Sequence, residues 1–279
     1  MSQKAIEEVD TFNSQSLANT VWAYAKAGHI APELYDALSY KAMEDLDTFN
    51  SQTLVNTMWA YAKVGHSSPK LFDAISYKAI KILSTFNSQG IANLLWAYAK
   101  VGHFSPKLFL ALSHKVMDEL DTFNSQEIAN TVCAYAKVGH TSSILLDALS
   151  QEAIDKLDTF NSQEIANTVW AYAKAGHLVP NLFDAFSDRA IEIVDTFNIQ
   201  DISNTVWAYA KVGHYSPNLF DALSKKAMTE KINNFNSQSI ANIIWAYDKI
   251  GHSLPPELLD ALQQQKEAAR VESSSSILR

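Results

Sequence analysis

An eighteen-residue segment, FNSQEIANTVWAYAKAGH at Phe160–His177, occurs seven times with small edits, starting at Phe12, Phe49, Phe86, Phe123, Phe160, Phe197 and Phe235. The spacing is 37 residues five times and 38 the last time. Self-similarity at such a period is the mark of a stacked array, in which neighbouring repeats supply each other's core. It overrides the one or two closed domains that 279 residues would ordinarily suggest.

Each repeat reads as two helices. In the first copy Asn13 is a good N-cap, Ser14 to Ala27 holds neither proline nor glycine, and Gly28 supplies a left-handed stop. Glu127 and Glu164 stand three residues after their asparagines, at the capping-box spacing. This segment is helix A. Pro32 then opens helix B at the first helical position, where a missing N–H costs nothing. Ser68, Ser105 and Ser216 precede the matching prolines as expected N-caps, and Leu34, Ala37, Leu38, Ala42 and Leu46 recur at helical spacing. On a helical projection, Leu17, Ala18, Val21, Trp22, Tyr24 and Ala25 share one broad arc of helix A, which predicts its buried face. Gln15, Ser16, Asn19, Thr20, Ala23 and Lys26 lie opposite.

One such pair cannot bury its apolar face alone, so the expected fold is all-α: a right-handed α-solenoid of seven ~37-residue helix-turn-helix repeats plus an N-terminal half repeat. Residues 1–11 align with the helix B end at Lys41–Phe49 and form the half repeat, residues 12–262 form the array, and residues 263–279 read as a polar, disordered tail. Because the chain opens midway through a repeat, we expect a fragment of a longer protein, which leaves room for a targeting segment outside it. In such arrays extended concave faces bind partners, and helix A, with the more uniform and less acidic outer side, is expected to line that face.

Composition narrows the function. A single cysteine, Cys133, excludes an internal disulfide and a cysteine-built zinc site. There is no run of eighteen apolar residues, so no membrane partner is expected. Seven of the eight histidines, His29, His66, His103, His140, His177, His214 and His252, fall one per repeat, too far apart to share a metal, and read as turn and stacking residues, while His114 stands alone on a helix B. No glycine-rich phosphate loop or nucleophile-base set is present, so neither an enzyme, nor a cofactor, nor a small-molecule substrate is expected. Net charge is −8, yet the helix A segments hold seven lysines against four acids, +3, and leave −11 to the rest.

The pattern F-x-x-Q-x-[LI]-A-N-x-x-W-A-Y-A-K-x-G-H, followed by S-P-x-L-F-D-A-L, resembles the octotricopeptide and heptatricopeptide repeats of organellar RNA-binding proteins. It is also similar to the helical repeats of the FAST-kinase-like family and of a subunit of the RNA-editing substrate-binding complex. The resemblance covers Phe12 to about Leu262. It implies helix pairs that bind single-stranded organellar RNA, in a mitochondrion or chloroplast, for processing, stability or translation, alongside protein partners of an RNA-processing complex. By analogy with readers of one base per repeat, a few side chains of each helix A would contact one nucleotide.

Carried onto this sequence, the candidate contacts are Asn19, Asn56, Asn93, Asn130, Asn167, Asn204 and Asn242, with Lys26, Lys63, Lys100, Lys137, Lys174, Lys211 and Lys249 meeting phosphates. A variable site precedes each asparagine: Ser16, Thr53, Gly90, Glu127, Glu164, Asp201 and Ser239. A second holds Thr20, Thr57, Leu94, Thr131, Thr168, Thr205 and Ile243. The asparagines could equally bridge to a neighbouring repeat's backbone, and the lysines complement the helix dipole. The tryptophans Trp22, Trp59, Trp96, Trp170, Trp207 and Trp245 are expected in the core, with Cys133 a core substitution at the same position. Together with Ser143 in place of proline, Cys133 predicts a weak seam over residues 123–150. The alternative function is an acidic α-solenoid scaffold for protein–protein contacts, to which the net charge lends weight.

Overall fold

The computed structural model describes the backbone of residues 2–276 and the side-chain surroundings of residues 2–267. Within them lie fifteen α-helices and no strand. A short α1 (Ser2–Glu7) is followed by seven pairs: α2 (Ser14–Lys26) with α3 (Pro32–Glu44), α4 (Ser51–Val64) with α5 (Pro69–Lys81), α6 (Ser88–Val101) with α7 (Pro106–Asp118), α8 (Ser125–Val138) with α9 (Ser143–Asp155), α10 (Ser162–Ala175) with α11 (Pro180–Glu192), α12 (Ile199–Val212) with α13 (Pro217–Thr229), and α14 (Ser237–Ile250) with α15 (Pro256–Ser276). This is the tandem helix-pair architecture of an α-solenoid. The even-numbered helices are the A helices, and the odd-numbered ones from α3 onward are the B helices.

Local sequence sets these boundaries. The Asn13 side chain accepts a hydrogen bond from the Ser16 N–H at 2.8 Å, and the same cap recurs at Asn50, Asn87, Asn161, Asn198 and Asn236. A cap of this kind contributes about 1 kcal/mol. At the other end Gly65 takes φ +71°, which lets the His66 N–H reach back to the Tyr61 carbonyl at 3.0 Å, a bond an L side chain at that position would strain. Proline opens every B helix except α9, which starts at Ser143. Ser68, Ser105 and Ser216 do stand at N-cap positions, but their hydroxyls make no cap bond. That of Ser216 pairs with Ser187 instead. A 3-10 turn ends each B helix up to α13, and its threonine hydroxyl closes the turn in most copies, as Thr48 does on the Asp45 carbonyl at 2.7 Å. The phenylalanine that follows is buried from Phe49 onward.

Two compact units make up the chain: the residues up to Phe123 with 134–141, and residues 124–133 with those from Ser142 onward. The division falls within the fourth repeat, along α8.

In the first unit α2, α4 and α6 pack side by side as one layer, and α3, α5 and α7 as a second. The α1 helix lies against α3, where a preceding helix B would lie. In the second unit α10, α12 and α14 form one layer and α9, α11, α13 and α15 the other. The core between layers is built from the same positions in each repeat, such as Leu54, Met58 and Tyr61 against Leu71, Phe72 and Ile75.

One buried tyrosine per repeat stitches each pair to the one before. In the first unit Tyr61, Tyr98 and Tyr135 donate to the carbonyls of Tyr35, Phe72 and Phe109 at 2.6, 2.7 and 2.8 Å. In the second, Tyr172, Tyr209 and Tyr247 each donate at 2.6 Å to Leu146, Phe183 and Phe220. Burial raises all these hydroxyls above the ordinary tyrosine range.

The extra residue before the seventh copy is absorbed in the connector. α13 ends at Thr229, Glu230 is extended, and the 3-10 turn Ile232–Asn234 then resumes the usual path to Phe235. The α15 helix runs on through Ser276, so the stretch expected to be a disordered tail is helical from Gln263 to that point. Its run of Gln, Lys, Glu, Ala and Arg has high helix propensity, which composition alone does not weigh. Residues 277–279 of the same stretch lie outside the described residues.

Candidate nucleic-acid interface

Inside a unit an A helix such as α4 or α12 is covered on three sides: by its own B helix, by the preceding A helix and by the following one. What remains is a narrow stripe. In α4 the stripe is Gln52, Asn56, Trp59 and Lys63, spaced i, i+4, i+7 and i+11, which is one face of a helix. The equivalent glutamines Gln15, Gln52, Gln89, Gln126, Gln163, Gln200 and Gln238 are all exposed, as are all seven candidate lysines. Of the asparagines, Asn19 is exposed and the other six are half-buried. The Gln52 amide donates to the Asn56 carboxamide oxygen at 2.9 Å, so these two amides orient each other along the stripe.

The expected core position of the tryptophans is corrected. Trp22 and Trp245 are 41% and 39% exposed, and Trp59, Trp96, Trp170 and Trp207 are half-exposed. Their rings lie on the stripe beside the lysines: Lys26 Nζ is 5.8 Å from the Trp22 ring centroid and Lys174 Nζ is 5.2 Å from that of Trp170. Both distances are in cation–π range. Trp207 and Trp245 bring their ring centroids to 6.4 Å. Cys133, half-buried at the same position, is therefore no core defect, and its thiol donates to the Asn167 carbonyl at 3.3 Å.

The first variable site lies at the third residue of each helix. Thr53, Glu127, Asp201 and Ser239 are buried there, and Ser16, Gly90 and Glu164 half-buried. Its acids are engaged at the cap. Glu127 and Glu164 accept from the backbone N–H of Asn124 and Asn161 at 3.0 and 3.1 Å, and Asp201 from that of Asn198 at 3.3 Å. Burial raises the Asp201 carboxyl, and the bond from Asn198 opposes that rise. The second variable site is not on the surface: Thr57, Leu94, Thr131, Thr168, Thr205 and Ile243 are all buried. Only Thr20, at the start of the array, is half-buried.

The histidines take the turn roles expected of them. His66 and His103 pair with Asp36 and Asp73 of the preceding B helix at 2.9 Å in the first unit. His177, His214 and His252 do the same with Asp147, Asp184 and Asp221 at 2.7, 2.9 and 3.0 Å in the second. Each also lies against the buried tyrosine of its own repeat, at 5.7 Å for His66 and Tyr61. His140 departs from the pattern. Leu110 stands where its aspartate would be, and Phe104 packs on the imidazole instead. Among the described residues no group of three or more metal-ligating side chains is present, and no helix is long and apolar enough to cross a membrane.

Amides, a ring face and a cation on one stripe can hydrogen-bond base edges, stack a planar base and neutralise a phosphate. The sequence carried the signal for the glutamine, which stands in all seven copies, whereas the tryptophans projected onto the apolar arc. The model of the RNA-editing substrate-binding complex 6 protein family matches residues 1–179 and again residues 108–265, and the chain belongs to that family. The overlap of the two matches fits an array in which one motif aligns in more than one register. No curated protein matches the chain.

Proposed function

Given that membership, we propose that the chain is an RNA-binding subunit of an RNA-editing substrate-binding complex, located in the mitochondrion, which holds single-stranded RNA along its helix A stripes. The observation that carries this reading is the repetition of one Gln-Asn-Trp-Lys stripe, with exposed glutamine and lysine, on the A helices, Cys133 standing for tryptophan in α8. Candidate contacts are the seven asparagines from Asn19 to Asn242 and the seven lysines from Lys26 to Lys249. The reading does not need a basic protein. Three of the four helix A acids are held at the N-cap end, ten residues or about 15 Å from the lysine of the same helix, so the outer stripe keeps its positive sign. Glu127, Glu164, Asp201 and the other residues of that site would act on RNA indirectly, by fixing where the helix starts. The more acidic B side would be left to protein partners in the complex. The chain's part is positioning rather than catalysis.

Fluorescence anisotropy with a randomised single-stranded RNA pool at two salt concentrations tests the reading. Binding in the micromolar range or tighter that weakens with salt and improves after selection is the expected result. No binding at tens of micromolar would replace it with the protein-scaffold reading, in which the net charge of −8 excludes RNA.

A further inference from the structure

We infer that the exposed tryptophans of helix A are base-stacking platforms, so that each unit presents three aromatic seats for unpaired nucleobases: Trp22, Trp59 and Trp96 in the first, Trp170, Trp207 and Trp245 in the second. This deepens the RNA-binding reading and rests on it. Three observations carry it. A large aromatic side chain stands at least partly exposed in six of seven repeats, among stripe positions that are otherwise polar. In the fourth repeat Cys133 occupies the position, and its helix still forms and bonds to α10. Next, a lysine ammonium lies over the ring at 5.8 Å in α2 and 5.2 Å in α10, a cation that an incoming phosphate can draw off the ring face as the base takes its place. A nucleotide seated on the ring would therefore find its counter-charge on the same helix. Finally, Trp207 and Trp245 bring their ring centroids to 6.4 Å, so that neighbouring repeats hold their rings next to each other.

The occupant follows from these features. A ring face takes any base, because every base has a π-face, whereas a paired base in a duplex has none to offer. Stacking is thus selective for single strands and tolerant of sequence. What sequence preference there is falls to the amides beside the ring, Asn167 and Gln163 in α10.

Tryptophan emission and anisotropy, recorded together, separate this inference from the reading it rests on. The intact chain is titrated with a single-stranded oligonucleotide RNA and, separately, with an abasic sugar-phosphate chain of the same length. Stacking predicts quenching that saturates in step with the RNA anisotropy, and weaker binding without quenching for the abasic chain. Trp170→Cys and Trp207→Cys, which copy the natural residue of the fourth repeat, should each weaken RNA binding roughly ten-fold. The reverse change, Cys133→Trp, should tighten it. Equal binding of RNA and abasic chain without quenching would overturn the stacking role and leave a phosphate-only RNA binder. Absence of binding to either would overturn both, and point to a protein partner on the same rings. Should the cysteine variants fail to fold, the quenching comparison on the unsubstituted chain decides alone.

Discussion

Lys174 ends an A helix, lies beside the Trp170 ring and is exposed to solvent, so its charge serves the helix dipole and an incoming phosphate alike. The two roles separate by experiment. Lys174→Ala should lower the slope of log affinity against log salt by about 0.7 and cost only a few tenths of a kcal/mol in stability. An unchanged slope would confine the lysine to its helix. At the other end of the helix, Gly90 stands where Glu164 completes a capping box in α10. A Cβ at Gly90 would come 3.2 Å from the Asn87 Oδ1, at the position where the α10 cap carries Glu164, so Gly90→Glu should raise stability by no more than about 1 kcal/mol in urea titration and leave RNA preference unchanged, because the new carboxylate turns back onto its own cap. A shift in RNA preference at constant stability would make this site a reader after all. Such caps were legible in the sequence because the cap asparagine, the third residue and the terminal glycine act within one turn of each other. Exposure of the tryptophans was not legible, since hydropathy assigns an indole to the core whether or not the neighbouring helices leave room for it.

At the scale of the helix the physical reason is plain. A projection divides helix A into one apolar and one polar side, as if it met a single partner. In the array it meets three, and the side expected to be open receives the preceding A helix: Ala60 and Thr57 are fully buried there. Small residues allow that close approach. The larger ring of Trp59 lies outside that seam, partly exposed on the stripe. Thr168 and Thr205 are buried at the equivalent position with their hydroxyls unbonded, whereas Thr57 bonds the Thr53 carbonyl at 2.8 Å. The fourth repeat is a second case where one helix cannot be judged alone. Its expected weakness was argued from a core cavity at Cys133, which the exposure of that position removes. Two other departures remain, Ser143 in place of proline and Leu110 in place of the aspartate that pairs with His140's counterparts. Backbone amides near His140–Leu146 should therefore exchange faster than those near His177–Phe183. Equal protection would end the idea of a weak repeat. Leu110→Asp should supply the missing pair and add up to about 1 kcal/mol, the range of an exposed ion pair.

Across the whole molecule, stability depends on joints that are alike, each with its buried tyrosine hydroxyl on a backbone carbonyl. The hydroxyl of Tyr35, lifted by burial to about 12, and those of the joint tyrosines keep their protons in the folded chain when an unfolded tyrosine would lose its own near pH 10. A folded-state value above the unfolded one means that this stability is complete below about pH 10 and is lost as pH rises toward the folded values. Tm should thus hold steady through neutral pH and fall steeply above pH 10, with tyrosinate absorbance rising as the chain unfolds. A flat Tm up to pH 12 would contradict the joint. The fold class could be read ahead of the structure because the period is a property of the sequence, and of the families that the motif resembles the RNA-editing substrate-binding complex is the one matched; the faces could not, because they depend on neighbours one period away. The connector ahead of the seventh copy carries a last consequence. One added residue there leaves the joint intact, with Tyr247 still 2.6 Å from the Phe220 carbonyl and His252 still paired with Asp221. Slippage by a residue or two between a B helix and its 3-10 turn is therefore harmless, and duplication or loss of an entire repeat rejoins two compatible ends. For a lineage carrying such a gene, the number of copies is the variable that selection can most cheaply adjust, and with it the length of nucleic acid the protein can span.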